Sequence, residues 1–119
     1  MLYAKVAVGL PVSGPFDYIV PDSLVSKIAV GKRVWVSFGP RRVTGYVVDL
    51  SKKSEVKNLK PVLELIDSFP ILSRNMLNLT REIAEYYYCS WGEAIETAIP
   101  EDLRRGKIAD KEGGASIFY

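Results

Sequence analysis

Phe16-Asp17-Tyr18, led in by Pro15, sets a carboxylate between two aromatic rings just after the first apolar alternation of the chain. Such a tripeptide can do one of two things. On a strand, alternation can bury Phe16 and Tyr18 in packing while Asp17 faces water or caps the preceding loop. Alternatively, the rings form a wall for a stacked nucleic-acid base, worth ~1–3 kcal/mol per base. Asp17 then accepts a hydrogen bond from a sugar hydroxyl, charge-assisted and so stronger than a neutral one.

The charge distribution bears on the choice. Residues 27–60 carry nine Lys/Arg against Asp49 and Glu55, a balance of +7, whereas residues 61–103 carry eight acids against Arg74 and Arg81, a balance of −6. That polarity fits one face meant for polyanions and another that is not, and it equally fits an ordinary solvated surface with complementary halves. Lys32, Arg33, Arg41, Arg42, Lys52, Lys53 and Lys57 are either solubilising charges or a phosphate-contacting stripe whose affinity falls with salt. Lys60 is placed more firmly, because it opens a strand beside Pro61. Trp35 is either partly exposed or covered by the helices, and covering is the expectation. Tyr86-Tyr87-Tyr88 could form a stacking platform, but helical spacing assigns Tyr87 and Tyr88 to the core.

Other chemistries lack their residues. The chain has no histidine, and its one cysteine, Cys89, is expected on an apolar helix, so neither a zinc site nor a nucleophile–base pair can be assembled. Gly31-Lys32 lacks the upstream glycine of a phosphate loop. The acids cluster on predicted helices, where solvated faces explain them. No catalysis, cofactor or metal is expected. No apolar run approaches the length of a membrane span, and the alternating N-terminus carries no signal-peptide pattern. The expected setting is the reducing cytoplasm.

These residues are held by a chain of 119 residues, the size of one domain. Alternation predicts strands at residues 3–8, 16–20, 33–38, 43–50 and 60–66, with a short turn of helix at 23–29. Gly39-Pro40-Arg41-Arg42 reads as a hairpin reversal, and Gly45 as a bulge or close approach. After Asp67-Ser68-Phe69-Pro70 the period changes. Ser73 is a plausible N-cap for a helix with an apolar stripe at Met76, Leu79/Thr80, Ile83 and Tyr87, widened by Leu77, Ala84 and Tyr88. A second helix begins at Ser90 or Trp91 and stops at Pro100. The fold class is α+β: a small β-rich, partly open barrel-like sheet (1–68) followed by a two-helix subdomain (71–100). Together they make a domain over 1–105, with 106–119 as linker or tail.

Pro15-Phe16-Asp17-Tyr18, Pro21, the run Gly31 to Gly39, Gly45-Tyr46-Val47-Val48, Leu59-Lys60-Pro61-Val62 and Leu65-Ile66-Asp67-Ser68 occur in an order and spacing that resemble a known family. So do Glu85-Tyr86-Tyr87, Gly92-Glu93 and Ala98-Ile99-Pro100. The family is the N-terminal 3′-DNA-binding domain of PriA, the primosomal replication-restart helicases, and the likeness covers about residues 1–106. It implies a module that holds the 3′-terminal nucleotide of nascent DNA at a fork, whatever its base, through Phe16, Asp17, Tyr18, Gly39 and Lys60. Asp17 takes the 3′-hydroxyl, Gly39 a backbone contact and Lys60 a polar contact. Lys32, Arg41, Arg42, Lys52 and Lys53 are auxiliary phosphate contacts. The implied partners are DNA with a free 3′ end and the rest of the helicase, with no membrane and no small-molecule substrate. The family's ATPase motifs, zinc-binding cysteines and winged helix have no counterpart here, so unwinding is not assigned to this chain.

An aspartate at that place repels the phosphate of an internal nucleotide and welcomes a terminal hydroxyl, which is discrimination by a repulsive group. Two other readings compete. A small barrel of SH3 or Tudor type would take a peptide on Tyr18, Trp35 and Tyr46, and a carboxylate-dependent hydrolase would need two acids converging in a cleft.

Overall fold

The β-branched and aromatic runs between Gly/Pro breaks fold as strands, and the periodic stretch after Pro70 folds as helices. The computed structural model describes residues 1–108. In chain order it contains β1 (Tyr3–Val8), β2 (Phe16–Ile19), a 3-10 turn (Asp22–Leu24), β3 (Arg33–Phe38), β4 (Arg41–Ser51) and β5 (Glu64–Leu65), then α1 (Arg74–Tyr87), α2 (Trp91–Thr97) and α3 (Glu101–Arg104). Most of the expected tail, from residue 109 on, lies outside the described residues.

The strands form one open antiparallel sheet in the order β2-β1-β4-β3-β5. It bends strongly. At the end of β2, Ile19 donates its N–H to Lys60 O (3.0 Å) and accepts from Val62 N (2.9 Å), so the two edges touch without a ladder closing between them. The concave side encloses one apolar cluster built on Val6, Tyr18, Val34, Val36, Val47 and Val62. Alternation sends Ala7, Tyr46 and Val48 to the other face, where Ile71, Leu72, Leu77, Ile95, Ile99 and Leu103 cover them.

Several expectations change in detail. The β3–β4 reversal uses only Gly39-Pro40; Arg41 and Arg42 already belong to β4, opposite Phe38 and Ser37. Gly45 is a close approach, since a Cβ there would lie 2.3 Å from Val6 Cγ1. The irregularity in the ladder lies beside Val48 instead, where Lys5 faces Asp49 and Val6 faces Val47. The strand expected over 60–66 shortens to two residues on the β3 edge plus the bridge at Pro61.

Both main helices start at capping serines. Ser73 Oγ accepts from Met76 N (3.1 Å). Ser90 and Glu93 form a reciprocal pair, with Glu93 N donating to Ser90 Oγ (3.1 Å) and Ser90 N to Glu93 Oε1 (2.9 Å). α2 lies directly on the β1 backbone: a Cβ on Gly92 would come 1.8 Å from Val8 O, so no larger residue fits without moving the helix. Cys89 sits in the link between α1 and α2, not on a helix. Beyond Pro100 the chain makes one more helical turn, α3, which buries Leu103.

The tyrosines depart furthest from expectation. Tyr87 and Tyr88 are 69% and 96% exposed, beside Tyr86 at 76%. α1 ends at Tyr87, and Tyr88 caps it in the left-handed region at φ 55°, so the last turn outruns the buried stripe of Leu77, Thr80 and Ala84.

Candidate nucleic-acid interface

Alternation on β2 turns Phe16 and Tyr18 to the concave side and Asp17 to the opposite face. Tyr18 is buried, and its hydroxyl donates to Ser37 O at 2.7 Å near the end of β3. Phe16, half-buried, meets Phe38 edge-to-face with ring centroids 5.2 Å apart. The two rings therefore join β2 to the tip of the β3–β4 hairpin. Tyr18 is a support packed beneath the surface, whereas part of Phe16 remains open.

Asp17 lies opposite Lys5 in the β1–β2 ladder. Its Oδ1 accepts from Lys5 Nζ at 3.0 Å, and its Oδ2 accepts from the Ser54 hydroxyl at 2.6 Å. Ser54 comes from the polar loop after β4, so that loop folds back over β2. Its hydroxyl is the first cause holding the Asp17 carboxyl below the ordinary value of 3.8; Lys5 adds to the effect and partial desolvation opposes it. The carboxylate is thus ionised at neutral pH and already engaged with an O–H donor. Each oxygen keeps a second lone pair.

Lys60 and Gly39 come together independently of Asp17. The Lys60 side chain, exposed, reaches Gly39 O at the hairpin turn (3.5 Å), while its own carbonyl is pinned by Ile19 N. The five residues thus fall into two groups: Asp17 with Lys5 and Ser54, and Phe16, Tyr18, Gly39 and Lys60 around the end of β3. None of them lines the clefts of about 740, 760 and 310 Å³ found elsewhere on the surface. The first of these, between the Pro11–Pro15 loop and α1, does include Lys5, the partner of Asp17.

The basic residues do not form one stripe. Arg33 is fully buried: its Nε and Nη2 donate to Asp67 Oδ2 (3.0 Å) and Oδ1 (2.5 Å), and its Nη1 to Leu103 O (2.7 Å). Lys32 is also largely buried, with its ammonium donating to Lys27 O at 2.6 Å, which turns it from the surface. Arg41, Lys52, Lys53 and Lys57 are exposed. Arg42 is exposed too, pairs with Glu64 (3.2 Å) and lies 4.6 Å over the Trp35 ring. Trp35 is half-covered, with Arg42 over its ring and Gly106 after α3 packed against it.

Two residues with structural roles carry little signal in the sequence. Ser54 in a polar loop has no marking motif, and Lys5 reads as an ordinary outward strand residue. Only the ladder register places Lys5 on Asp17, and only the fold-back of the loop after β4 brings Ser54 there.

The rival peptide-binding arrangement loses its geometry. Tyr46 is fully buried and donates to Glu96 Oε2 at 3.0 Å, and Tyr18 is buried as well, so Tyr18, Trp35 and Tyr46 present no common peptide-binding surface. Among the described residues no cluster of three or more potential ligands could hold a metal ion, and no helix is long and apolar enough to cross a membrane.

A family model described as the 3′ DNA-binding domain (3′BD) of PriA matches residues 5–100. The chain is 33% identical over 113 residues to the replication restart protein PriA of Haemophilus influenzae, covering 93% of this chain and 15% of that protein. It is 31% identical over 109 residues to the Bacillus subtilis protein of the same name, covering 87% and 14%. With the Chlamydia pneumoniae protein the identity is 30% over 99 residues, covering 83% and 13%. The chain therefore spans only about one-seventh of these relatives.

Proposed function

This chain belongs to the PriA 3′-DNA-binding domain family, and we propose that it holds the 3′-terminal nucleotide of a nascent strand at a replication fork, whatever its base, through Phe16, Asp17, Tyr18, Gly39 and Lys60. The observation that carries the reading is the 2.6 Å bond from the Ser54 hydroxyl to Asp17. It places a neutral O–H donor where a sugar 3′-hydroxyl would be received, on a carboxylate kept ionised. A strand end either displaces Ser54 or takes a remaining lone pair. An internal nucleotide offers a phosphodiester there instead, which accepts but cannot donate and meets a negative charge.

The remaining groups contribute recognition without sequence content. Phe16 offers its open part to a base, Tyr18 fixes the wall behind it, and Lys60 with the Gly39 carbonyl supplies polar contacts at the turn. None of these distinguishes one base from another. Arg41, Arg42, Lys52 and Lys53 add phosphate contacts, and Lys32 withdraws from that set because its ammonium is held by Lys27 O. The binding unit is taken as residues 1–105, acting within a longer cytoplasmic replication-restart helicase to which unwinding belongs.

The test is an anisotropy titration with short single strands ending in 3′-hydroxyl or 3′-phosphate. The hydroxyl end should bind at least tenfold better, and Asp17→Ala should bring the two together. Equal dissociation constants in the unaltered protein would refute the reading.

A further inference from the structure

We propose that Arg42, Arg104 and Arg105, gathered around Trp35, form a second seat that grips a backbone phosphate of the same strand inward of its 3′ end; this extends the reading above. The seat is a cleft of about 310 Å³ whose wall includes Trp35, Arg42, Thr44, Glu96, Arg104 and Arg105. It lies on the opposite side of the β3–β4 hairpin from the apolar concave cluster and begins close to the Gly39-Pro40 turn, since Arg42 pairs with Ser37 in the ladder. Trp35 lies four residues back along β3, about 13 Å at the usual strand rise. A flexible single strand crosses that distance in a few nucleotides.

The site is pre-assembled. The Arg42 guanidinium is held over the Trp35 ring at 4.6 Å. The same indole is packed by Gly106, where an added Cβ would lie 2.3 Å from Cζ2. α3, tied to the sheet through the Arg33–Leu103 bond, brings Arg104 and Arg105 to the opposite wall. The planar Arg42 guanidinium held in this way suits the paired oxygens of a phosphodiester, and the exposed Arg104 and Arg105 add their charge beside it.

Three carboxylates must be reckoned with. Arg42 pairs with Glu64 (3.2 Å) and Arg105 with Glu101 (2.6 Å), but both pairs are well exposed, and such bonds contribute little and exchange readily for phosphate. Glu96 occupies the floor, where it accepts from the Tyr46 hydroxyl (3.0 Å), and the nearby Arg104 offsets its charge. Arg104 forms no ion pair among the described residues. The cleft itself therefore carries three cations against one half-buried acid.

The experiment measures anisotropy for a dinucleotide and a ten-nucleotide strand, each with 3′-hydroxyl and 3′-phosphate ends, on the whole chain. The variants are Arg104→Gln/Arg105→Gln and, separately, Arg42→Gln. In the unaltered protein the longer strand should bind more tightly. The double variant should lose about tenfold on the longer strand and almost nothing on the dinucleotide, and its salt slope should fall by about one. Arg42→Gln should act in the same direction, with melting temperatures unchanged in both cases. Unchanged affinity for the longer strand, or an equal loss on both lengths, overturns the seat. The ratio between hydroxyl and phosphate ends reports separately on the terminal pocket, so either idea can fail while the other stands.

Discussion

Asp17 is poised between two donors of different kind, and the difference governs how sharply it can tell one strand end from another. Lys5 offsets its charge at 3.0 Å, yet the Lys5 side chain is 42% exposed, so the neutralisation is incomplete and screened. Ser54 offers only a dipole. Removing the cation leaves a more negative site, which penalises a 3′-phosphate further while still accepting a hydroxyl. Lys5→Met should therefore weaken binding overall but raise the preference for hydroxyl over phosphate severalfold in paired titrations; a smaller preference would mean that Lys5, not Asp17, contacts the strand. The same carboxylate has a pH signature. Its pKa is lowered in the folded chain from the ordinary 3.8, so its contribution to stability is fully present above that value and is lost as the pH falls through the lowered one. Asp17→Asn should lower the urea midpoint at pH 7, and the gap should close as the pH drops below about 4. A gap independent of pH would show that shape, not charge, matters at this position.

At the scale of elements, the two groups of the candidate site are held in relation by β2, the β3–β4 hairpin and the loop after β4, and the hairpin is in turn clasped to the helical part by Arg33. Its side chain bonds Asp67 in the link before α1 and Leu103 in α3, and its own amide donates to Asp67 Oδ2 at 2.8 Å. Removing Asp67 would strand a buried guanidinium. Asp67→Ala should cost about 3–5 kcal/mol in urea unfolding. Arg33→Met/Asp67→Ala should recover part of this, but not all, because the Arg33 amide and the Leu103 carbonyl lose partners, each costing about 1–3 kcal/mol. Full recovery would mean that the clasp has no role beyond its own charges. The sequence disclosed the hairpin, the capping Ser73 and the break near Asp67–Pro70, since each rests on local chemistry. Arg33 and α3 escaped it. A buried arginine looks like a surface one until its partner, thirty-four residues away, is in place, and Pro100 reads as a stop although it serves as the N-cap of another turn.

Over the whole molecule, segment charge proved a poor guide to surface charge. The +7 segment contains one arginine sealed in the core and one lysine buried with its ammonium on a carbonyl, while two arginines that join the Trp35 cleft come from beyond it, in and just after α3. Likewise Tyr87 and Tyr88 at the end of α1 fit a buried stripe by period, yet no layer of the described residues lies over them, because period reports which residues share a side and not how far the opposing layer extends. The family and the succession of strands along the chain were legible because the tripeptide, the hairpin and the glycine under α2 sit at fixed intervals. The side-chain partnerships that make a site are long-range and were not. What survives of the basic segment is a scattered set of exposed cations: Lys27 after the 3-10 turn, Arg41 and Arg42 at the hairpin, and Lys52, Lys53, Lys57 and Lys60 in the loop that reaches Asp17 through Ser54. If three of them contact phosphates, the logarithmic salt slope for a single strand should be near −2, and affinity should fall about twentyfold between 50 and 200 mM salt. Lys52→Gln/Lys53→Gln should flatten that slope by about one without altering the ratio of hydroxyl to phosphate ends, because the loop charges act on the strand's field and Asp17 acts on its tip. A slope unchanged by the double substitution would remove the loop from the interface and leave the hairpin cations to account for binding.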